Sequence, residues 1–137
     1  LQGLAKAIVK YQDPQSGTWY QVTDQGAREG NYLESSATAL FIYTLAKAIN
    51  KGYIGNEYIE PTQKAFDGMV KTFTRLEEDG SYTITNCCAV AGLGGDSKRY
   101  RDGSFEYYIS EPIIENDPKS IGSFILAAIE YEKMTKK

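Results

Sequence analysis

The polar segment from residue 102 to residue 119 carries the side chains best suited to chemistry. It combines carboxylates, amides and hydroxyls with two adjacent tyrosines, Tyr107 and Tyr108. Carboxylates and hydroxyls form hydrogen bonds with polar ligands, and tyrosine rings add an apolar face. Near its end, Asp117 is placed to cap a helix whose first turn contains Pro118. The sequence therefore predicts a polar ligand site in a loop at the start of a helix.

Several residues of this segment have two interpretations. Glu115, Asn116 and Lys119 could bind the hydroxyl or carboxylate groups of a ligand. They could equally form a network that stabilises the loop, with Lys119 paired to a nearby acid. If the segment is extended, Tyr107 and Tyr108 point to opposite sides, so that one faces a cavity and the other faces the core.

A second candidate group precedes the most apolar helical pattern of the chain. Its side chains could line the same cavity. Alternatively, Ser35, Ser36 or Asn31 could only cap the helix by accepting backbone N–H groups. The complete set of candidate ligand-binding residues is Asn31, Tyr32, Glu34, Ser35, Asp102, Ser104, Tyr107, Tyr108, Glu115, Asn116 and Lys119.

Hydrophobic periodicity predicts the elements that must position these residues. A pattern that is apolar on nearly all sides indicates a buried inner helix, whereas an amphipathic pattern indicates an outer helix. Inner and outer helices that alternate, with long polar loops at one end, are typical of stacked helical hairpins in layered α/α toroids. The predicted elements are helices at 1–12, 34–50, 56–75 and 119–133 and a small hairpin at 77–85.

Three further features have a structural and a functional interpretation. Trp19 lies in a short extended segment, where it could stack on a ligand or, as is more common, pack in the core. Gly68 indicates either a close contact of its helix or only a cost of about 1 kcal/mol. The glycine-rich run at 91–95 lacks the Gly-Lys-Ser/Thr ending of a phosphate-binding loop.

The composition excludes several classes of site. The sequence contains no histidine, so it provides no histidine general base and no histidine metal ligand. Its two cysteines, Cys87 and Cys88, are adjacent, which is neither zinc-site spacing nor favourable disulfide geometry. They are predicted to be buried thiols. We therefore expect no metal site and no cofactor.

The charge distribution excludes nucleic acid as a partner. The formal net charge is −3 and the isoelectric point is near 5.0, without a basic face. The only basic clusters are at 98–101 and 136–137, and the first is predicted to be a solvated loop and not a phosphate site. No stretch is long and apolar enough to predict a membrane span.

Five strings of the sequence carry a family resemblance. In this order and spacing they resemble the C-terminal part of glycoside hydrolase family 105, the unsaturated rhamnogalacturonyl hydrolases. The resemblance extends over nearly the whole chain. The strings are Gly17–Val22, Asn31–Ala37, Cys88–Gly95, Arg101–Pro112 and Glu115–Lys119.

The resemblance implies an all-α fold, a partial (α/α)6 toroid of the six-hairpin glycosidase type. Residues 1–137 would form the last two to three helical hairpins of one such domain, with a small β-hairpin. The family removes a 4,5-unsaturated galacturonyl residue from pectin-derived oligosaccharides by hydrating its double bond. An aspartate acts as the general acid/base, and no metal takes part. The implied partner is an unsaturated galacturonyl-rhamnose oligosaccharide.

The chain also departs from the family pattern. The catalytic aspartate, a site histidine and a tryptophan-rich string of the family all precede the matched region, so no catalytic residue is predicted here. The candidate acids match positions at the cavity rim, and we expect the isolated chain to be inactive. A non-catalytic carbohydrate-binding role, and a structural role in which exposed helix flanks self-associate, remain alternatives. A bacterial cytoplasmic and a periplasmic location are both compatible with the resemblance.

Overall fold

The computed structural model describes residues 1–26, 28–96 and 100–136. Helices dominate, and the strands are two or three residues long. The predicted basic loop at 98–101 lies largely outside the described residues, as does the last residue of the cluster at 136–137. The helices are α1 (Gln2–Lys10), α2 (Ser35–Asn50), α3 (Ile59–Phe73), α4 (Phe105–Ser110) and α5 (Pro118–Thr135), and a 3-10 turn spans Asn56–Tyr58. The strands are β1 (Thr74–Leu76), β2 (Tyr82–Ile84), β3 (Cys87–Cys88) and β4 (Ile113–Ile114).

Helices α2 and α5 are parallel inner helices that pack along their length. Both begin beside β3: the N–H of Cys88 donates to the Glu34 carboxylate that precedes α2, and the Lys119 ammonium in α5 donates to the carbonyl that follows β3. At the other end, the Asn50 amide of α2 donates to the carbonyl of Glu130 in α5, at 2.8 Å. The two helix starts therefore lie at the same end of the molecule.

Helix α3 covers the inner pair from outside, and α1 adds Ala5 and Ile8 to the same core. Helix α3 is amphipathic and buries Ala65, Met69 and Phe73, and its Phe66 ring stacks on Tyr131 of α5 with centroids 3.9 Å apart. The carbonyl of Phe73, at the end of α3, accepts from the N–H of Thr85, which lies close in space to the start of α5. Helix α3 is therefore antiparallel to α5. This outer and inner arrangement confirms the predicted helical layers.

The long connections lie at the end where the inner helices begin. Residues 11–34 join α1 to α2, and residues 74–117 join α3 to α5. The connection from α2 to the 3-10 turn before α3, at the opposite end, takes only residues 51–55. Because of this asymmetry, nearly all irregular backbone and its polar side chains gather at one end, as the sequence predicted.

Two short antiparallel ladders brace these loops. The predicted hairpin is confirmed by β1 and β2, with Thr74 opposite Ile84. The second ladder pairs β3 with β4, with Cys87 opposite Ile114, and it was not predicted. This ladder ties the segment before α5 to the start of α2.

Three sequence predictions were wrong in detail. The helix predicted to reach residue 75 ends at Phe73, because the chain becomes extended at Thr74 to pair with β2. The segment predicted to be a loop contains α4, so Tyr107 and Tyr108 are helical neighbours with rings 5.0 Å apart and do not alternate as in a strand. The helix predicted over 1–12 ends at Lys10, because the chain turns at Tyr11.

Trp19 and Gly68 are both explained by packing. Trp19 is fully buried, its Nε1–H donates to the Ile8 carbonyl at 2.8 Å, and its ring meets Phe41 edge-on. Ligand stacking by Trp19 is therefore wrong. Gly68 marks a close contact: a Cβ at this position would lie 1.9 Å from the carbonyl oxygen of Ser16.

An apolar surface remains exposed on the outer side of α5. Ile125 is 56% exposed and Ile129 is 45% exposed, and they are spaced by one helical turn. Exposed apolar patches are typical of interaction surfaces, so self-association stays a prediction. Within the described residues, no helix is both long enough and apolar enough to cross a membrane.

Candidate functional site

The buried carboxylate of Glu34 organises the start of α2. It is 1% exposed and accepts from the N–H of Ala37 at 2.6 Å, from the Ser36 hydroxyl at 2.9 Å and from the N–H of Cys88 at 3.0 Å. Glu34 is therefore the helix cap, and the expectation that Ser35, Ser36 or Asn31 takes that role was wrong. A glutamate reaches further than a serine, so one carboxylate serves both the helix and β3.

The thiols of β3 lie beneath this cap. Cys88 Sγ accepts from the Gln21 amide at 3.2 Å and donates to the Val90 carbonyl at 3.3 Å. Burial, and then the Glu34 charge, raise the pKa of Cys87 above its usual value. Both cysteines are free and buried, as predicted.

Tyr32 faces the same strand from the loop before α2. Burial is the main cause that raises the pKa of its phenol well above the ordinary value, and the nearby Cys88 and Glu34 side chains add to it. The phenol is consequently neutral at ordinary pH values. Tyr32 contributes shape at the floor of the loops, and its buried hydroxyl has no hydrogen-bond partner among the described residues.

Asn31 and Ser35 both lie within the packed loop end of the protein. The Asn31 side chain closes the loop on itself: it accepts from the N–H of Val22 at 3.2 Å and donates to the carbonyls of Val22 and Gln25 at 2.9 and 2.8 Å. Ser35 is fully buried in the first turn of α2. Both residues shape the loop end from within.

Helix α4 packs against the loop between Tyr20 and Leu33. Ser104 caps it by accepting from the N–H of Tyr107 at 3.1 Å. Asp102 accepts from the N–H of Ser104 at 2.9 Å, and hydrogen bonds from Ser104 lower the pKa of this carboxyl. Arg28 pairs with Glu106 and lies over the ring of Phe105, with 3.8 Å to the centroid. The sequence candidates Asp102 and Ser104 therefore position α4.

A cavity of about 290 Å³ opens between α4 and the glycine-rich loop. Its lining includes the buried carboxylate of Glu111 and the guanidinium of Arg101, whose Nε donates to the Gly94 carbonyl at 3.0 Å. Burial, and then the neighbouring Glu111 carboxylate, raise the pKa of the Tyr107 phenol. The cavity's lining residues are Val90, Asp96, Arg101 and Glu111.

Arg101 and Glu111 were not among the sequence candidates, although both lie in the matched strings. A usable signal was present: Tyr107 and Glu111 are four residues apart, which places them on one face of a helix. The signal was missed because the segment was interpreted as a loop, in which that spacing has no meaning. Tyr108, the other tyrosine candidate, is half-buried beside Tyr107.

Glu115 and Asn116 belong to the corner where β2 meets the start of α5. Glu115 forms a double contact with Arg75, at 2.8 and 2.9 Å. Asn116 has a positive φ of 51°, and its Oδ1 accepts from the N–H of Ile84 at 2.9 Å. The network interpretation of these two residues is therefore confirmed.

Lys119 reaches from the first turn of α5 towards β3. Its ammonium contacts Asp117 Oδ1 at 2.7 Å and the carbonyl of Ala89 at 3.1 Å, and 54% of its side chain is exposed. The Asp117 hydrogen bond raises the pKa of Lys119. The predicted pairing with an acid is confirmed, as is the cap by Asp117, which accepts from the N–H of Lys119.

The structure thus divides the candidates into three places. Tyr32, Glu34 and Lys119 surround β3, and Tyr107 lies beside Glu111, which lines the adjacent cavity. Glu115 and Asn116 stand apart at the hairpin corner. Within residues 1–26, 28–96 and 100–136, no group of three or more acids or cysteines could hold a metal ion.

The Glu115–Arg75 contact predicts a dependence of stability on pH. Arg75 lowers the pKa of Glu115 in the folded chain, so this stabilisation is present above the unfolded-state pKa and is lost as the pH falls through the folded pKa. The Arg75→Ala substitution is expected to flatten the fall in the urea midpoint on acidification below about pH 4.5. Urea unfolding of both chains from pH 7 to pH 3 measures this, and superimposable pH profiles would contradict it.

Comparison with known families gives one match along the chain. The family profile described as Glycosyl Hydrolase Family 88 matches residues 1–135. Protein Atu3128 of Agrobacterium fabrum is 37% identical over 120 residues, which cover 85% of this chain and 52% of that protein. The 24.9 kDa protein in the picA locus of Rhizobium radiobacter matches with the same values. The chain spans about half the length of the curated relatives it matches.

Solved structures show the same fold. A family 105 glycoside hydrolase from C. acetobutylicum superposes with a TM-score of 0.89 at 45% identity, over 93% of this chain and 35% of that chain. Possible family 105 members from Salmonella enterica and Klebsiella pneumoniae superpose with TM-scores of 0.74 at 26% and 28% identity. They cover 96% and 99% of this chain and 30% of each of those chains. The predicted toroid-type helical fold is therefore confirmed.

Proposed function

We propose that this chain, which belongs to Glycosyl Hydrolase Family 88, supplies one wall of a cleft that binds an unsaturated galacturonyl sugar. The complete enzyme in this proposal releases that sugar from rhamnogalacturonan oligosaccharides by hydration of the 4,5 double bond. The observation that carries the proposal is the cavity that holds Arg101 and Glu111 at the end where both inner helices begin. This cavity offers charged groups for recognition of an acidic sugar, and it supports the proposal in addition to the family membership.

The cavity has the chemistry that an acidic sugar requires. A guanidinium binds a carboxylate through paired N–H groups, and the Arg101 Nε contact with Gly94 holds that group in place. Asp96 and Glu111 supply carboxylates for sugar hydroxyls. Tyr107 adds a buried phenol beside Glu111, and the phenol oxygen has no hydrogen-bond partner among the described residues. Together these groups can bind a uronate residue by its charge and by its ring hydroxyls.

The sequence candidates take two roles in this proposal. Tyr107, Tyr108 and Lys119 contact the sugar or its neighbouring residue, because they lie next to the cavity or expose a charged end above β3. The others act by positioning, because they lie in the loops and helix starts at the end of the molecule where the cavity opens. The positioning residues are Asn31, Tyr32, Glu34, Ser35, Asp102, Ser104, Glu115 and Asn116.

The chain alone is proposed to bind without turnover. Hydration of a double bond requires an acid positioned to deliver a proton, and the sequence has no histidine to assist. We propose that residues 1–137 form two to three hairpins of a larger toroid whose other hairpins carry the acid. Incubation with an unsaturated galacturonyl-rhamnose disaccharide should leave its ultraviolet absorbance unchanged. Loss of that absorbance would contradict this part of the proposal.

Binding is tested by titration of the same disaccharide into the chain. The Arg101→Ala substitution should weaken binding about tenfold, because it removes the cation that pairs with the uronate. Calorimetry gives the dissociation constant, and tyrosine NMR signals report the location. Lys71→Ala is the matched control, since Lys71 is an exposed cation of α3 outside the cavity. Equal affinity of the Arg101→Ala and wild-type chains would overturn the proposed site.

A further inference from the structure

A second cavity, of about 340 Å³, lies beside the end of α1. This volume falls within the range of about 300–1,000 Å³ that is usual for ligand pockets. Two tyrosines, a lysine ammonium and a carboxylate line it. None of these residues is among the sequence candidates. The lining residues that matter are Lys10, Tyr11, Asp13, Gln15, Tyr20 and Gly26.

This cavity lies across the chain from the proposed uronide cleft. Tyr20 and Leu33 form a bridge, and the N–H of Gln21 donates to the carbonyl of Tyr32, so the two segments form a narrow ribbon. The side chain of Gln21 reaches Cys88 on the cleft side. In extended backbone adjacent side chains point to opposite faces, and Tyr20 accordingly lines the other cavity.

The tyrosine and turn that shape this cavity are held in place. A Cβ at Gly26 would lie 2.8 Å from the ring of Tyr20, so the bare backbone of Gly26 packs directly on that ring and fixes it. The turn that follows α1 is anchored by the Gln12 amide, which donates to the Gly17 and Pro61 carbonyls at 2.8 and 2.9 Å. Preformed walls reduce the ordering cost of binding.

The charged group of the cavity lies next to an aromatic face. The Lys10 ammonium is 4.9 Å from the centroid of the Tyr11 ring and 3.4 Å from its hydroxyl. Lys10 is exposed, and Tyr11 is 38% exposed, so both remain open to a ligand. A sugar ring can stack on tyrosine while its carboxylate pairs with the ammonium.

We propose that this cavity is a second carbohydrate site, which binds a hexuronate residue through Lys10 with Tyr11 and Tyr20 as stacking surfaces. The proposal rests on the proposed function only for the class of ligand. The site would hold a part of an acidic oligosaccharide remote from the cleft, and it involves no bond making or breaking.

The test uses trigalacturonate as the acidic probe and maltotriose as a neutral probe of equal length. Amide NMR titrations of the whole chain separate the two sites, because residues 10–26 and residues 90–111 report on different cavities. Lys10→Ala should weaken the trigalacturonate response of residues 10–26 about tenfold and leave the other response unchanged. Lys6→Ala, an exposed lysine of α1 outside the lining, is the matched control.

A further variant tests the role of the fixed ring. Gly26→Ala should displace Tyr20 and weaken the same response without removing any charge. No response of residues 10–26 to trigalacturonate, an unchanged response in Lys10→Ala, or equal affinity for maltotriose would each overturn the second site. An effect of Arg101→Ala on residues 90–111 alone would support the first site independently, so the two proposals fail separately.

Discussion

Replacing Glu34 with alanine is expected to lower the free energy of unfolding by about 4 kcal/mol. The loss of a helix cap costs about 0.5–2 kcal/mol, and each buried donor left without a partner costs about 1–3 kcal/mol. The substitution deprives the N–H of Ala37, the hydroxyl of Ser36 and the N–H of Cys88 of their common acceptor. Urea unfolding followed by circular dichroism at pH 7 measures the change.

Two variants show whether the carboxylate itself is responsible. Glu34→Gln keeps the length of the side chain but replaces one acceptor oxygen with an N–H₂ donor that faces other donors, so about half of the loss is expected. Glu78→Ala removes an exposed glutamate from the hairpin turn and should change the free energy of unfolding by less than about 0.5 kcal/mol. A Glu34→Ala chain as stable as the Glu78→Ala chain would contradict the role assigned to Glu34.

Glu34 also shows why part of the site could not be predicted from sequence. Local rules rank serine and asparagine as the best caps, and both are present nearby. The structure selects the glutamate because its second partner, the N–H of Cys88, belongs to a strand distant in sequence. A cap shared by two elements is a tertiary feature that no local pattern contains.

The helices were predictable because their signals are local and repeated. The amphipathic period of α3 and the cap of α5 by Asp117 are visible within a single stretch of sequence. Helix α4 is only six residues long and rich in aromatic and β-branched residues, which are weak helix formers. The β3–β4 ladder consists of two residue pairs whose strands are far apart in sequence. Each strand is only two residues long, so neither shows a hydrophobic periodicity.

The cavity of Arg101 and Glu111 depends on these unpredicted elements. Helix α4 brings Tyr107 and Glu111 to one face, and β4 ties the chain that follows Glu111 to β3. The sequence indicated the segment beside which this cavity lies and the end of the fold where it opens. It proposed Asp102 and Ser104 as ligand contacts. In the structure Ser104 caps α4, and Asp102 accepts from the N–H of Ser104. Stable polar sites of this kind require such supporting residues, and sequence types alone do not distinguish them from ligand contacts.

The Gly68→Ala substitution is expected to destabilise the chain by about 2 kcal/mol, although alanine is the better helix former. The new Cβ would lie 1.9 Å from the Ser16 carbonyl oxygen, a backbone atom that no side-chain rotation can move. The turn is also rigid, because Asp13 Oδ2 accepts from both the N–H and the hydroxyl of Ser16 at 2.7 Å. The helix and the turn must separate, and urea unfolding measures the cost.

Gly122→Ala in α5 is the same chemical change, but it is expected to stabilise the chain. A Cβ at Gly122 would meet no atom within 4 Å, so only the gain in helix propensity remains, about 1 kcal/mol of stabilisation. Both variants make the same substitution in a helix, so opposite effects on the free energy of unfolding report the close approach of α3 to the turn. If both substitutions stabilise the chain equally, the contact between Gly68 and Ser16 does not constrain the fold, and the packing of the outer helix proposed from it is wrong.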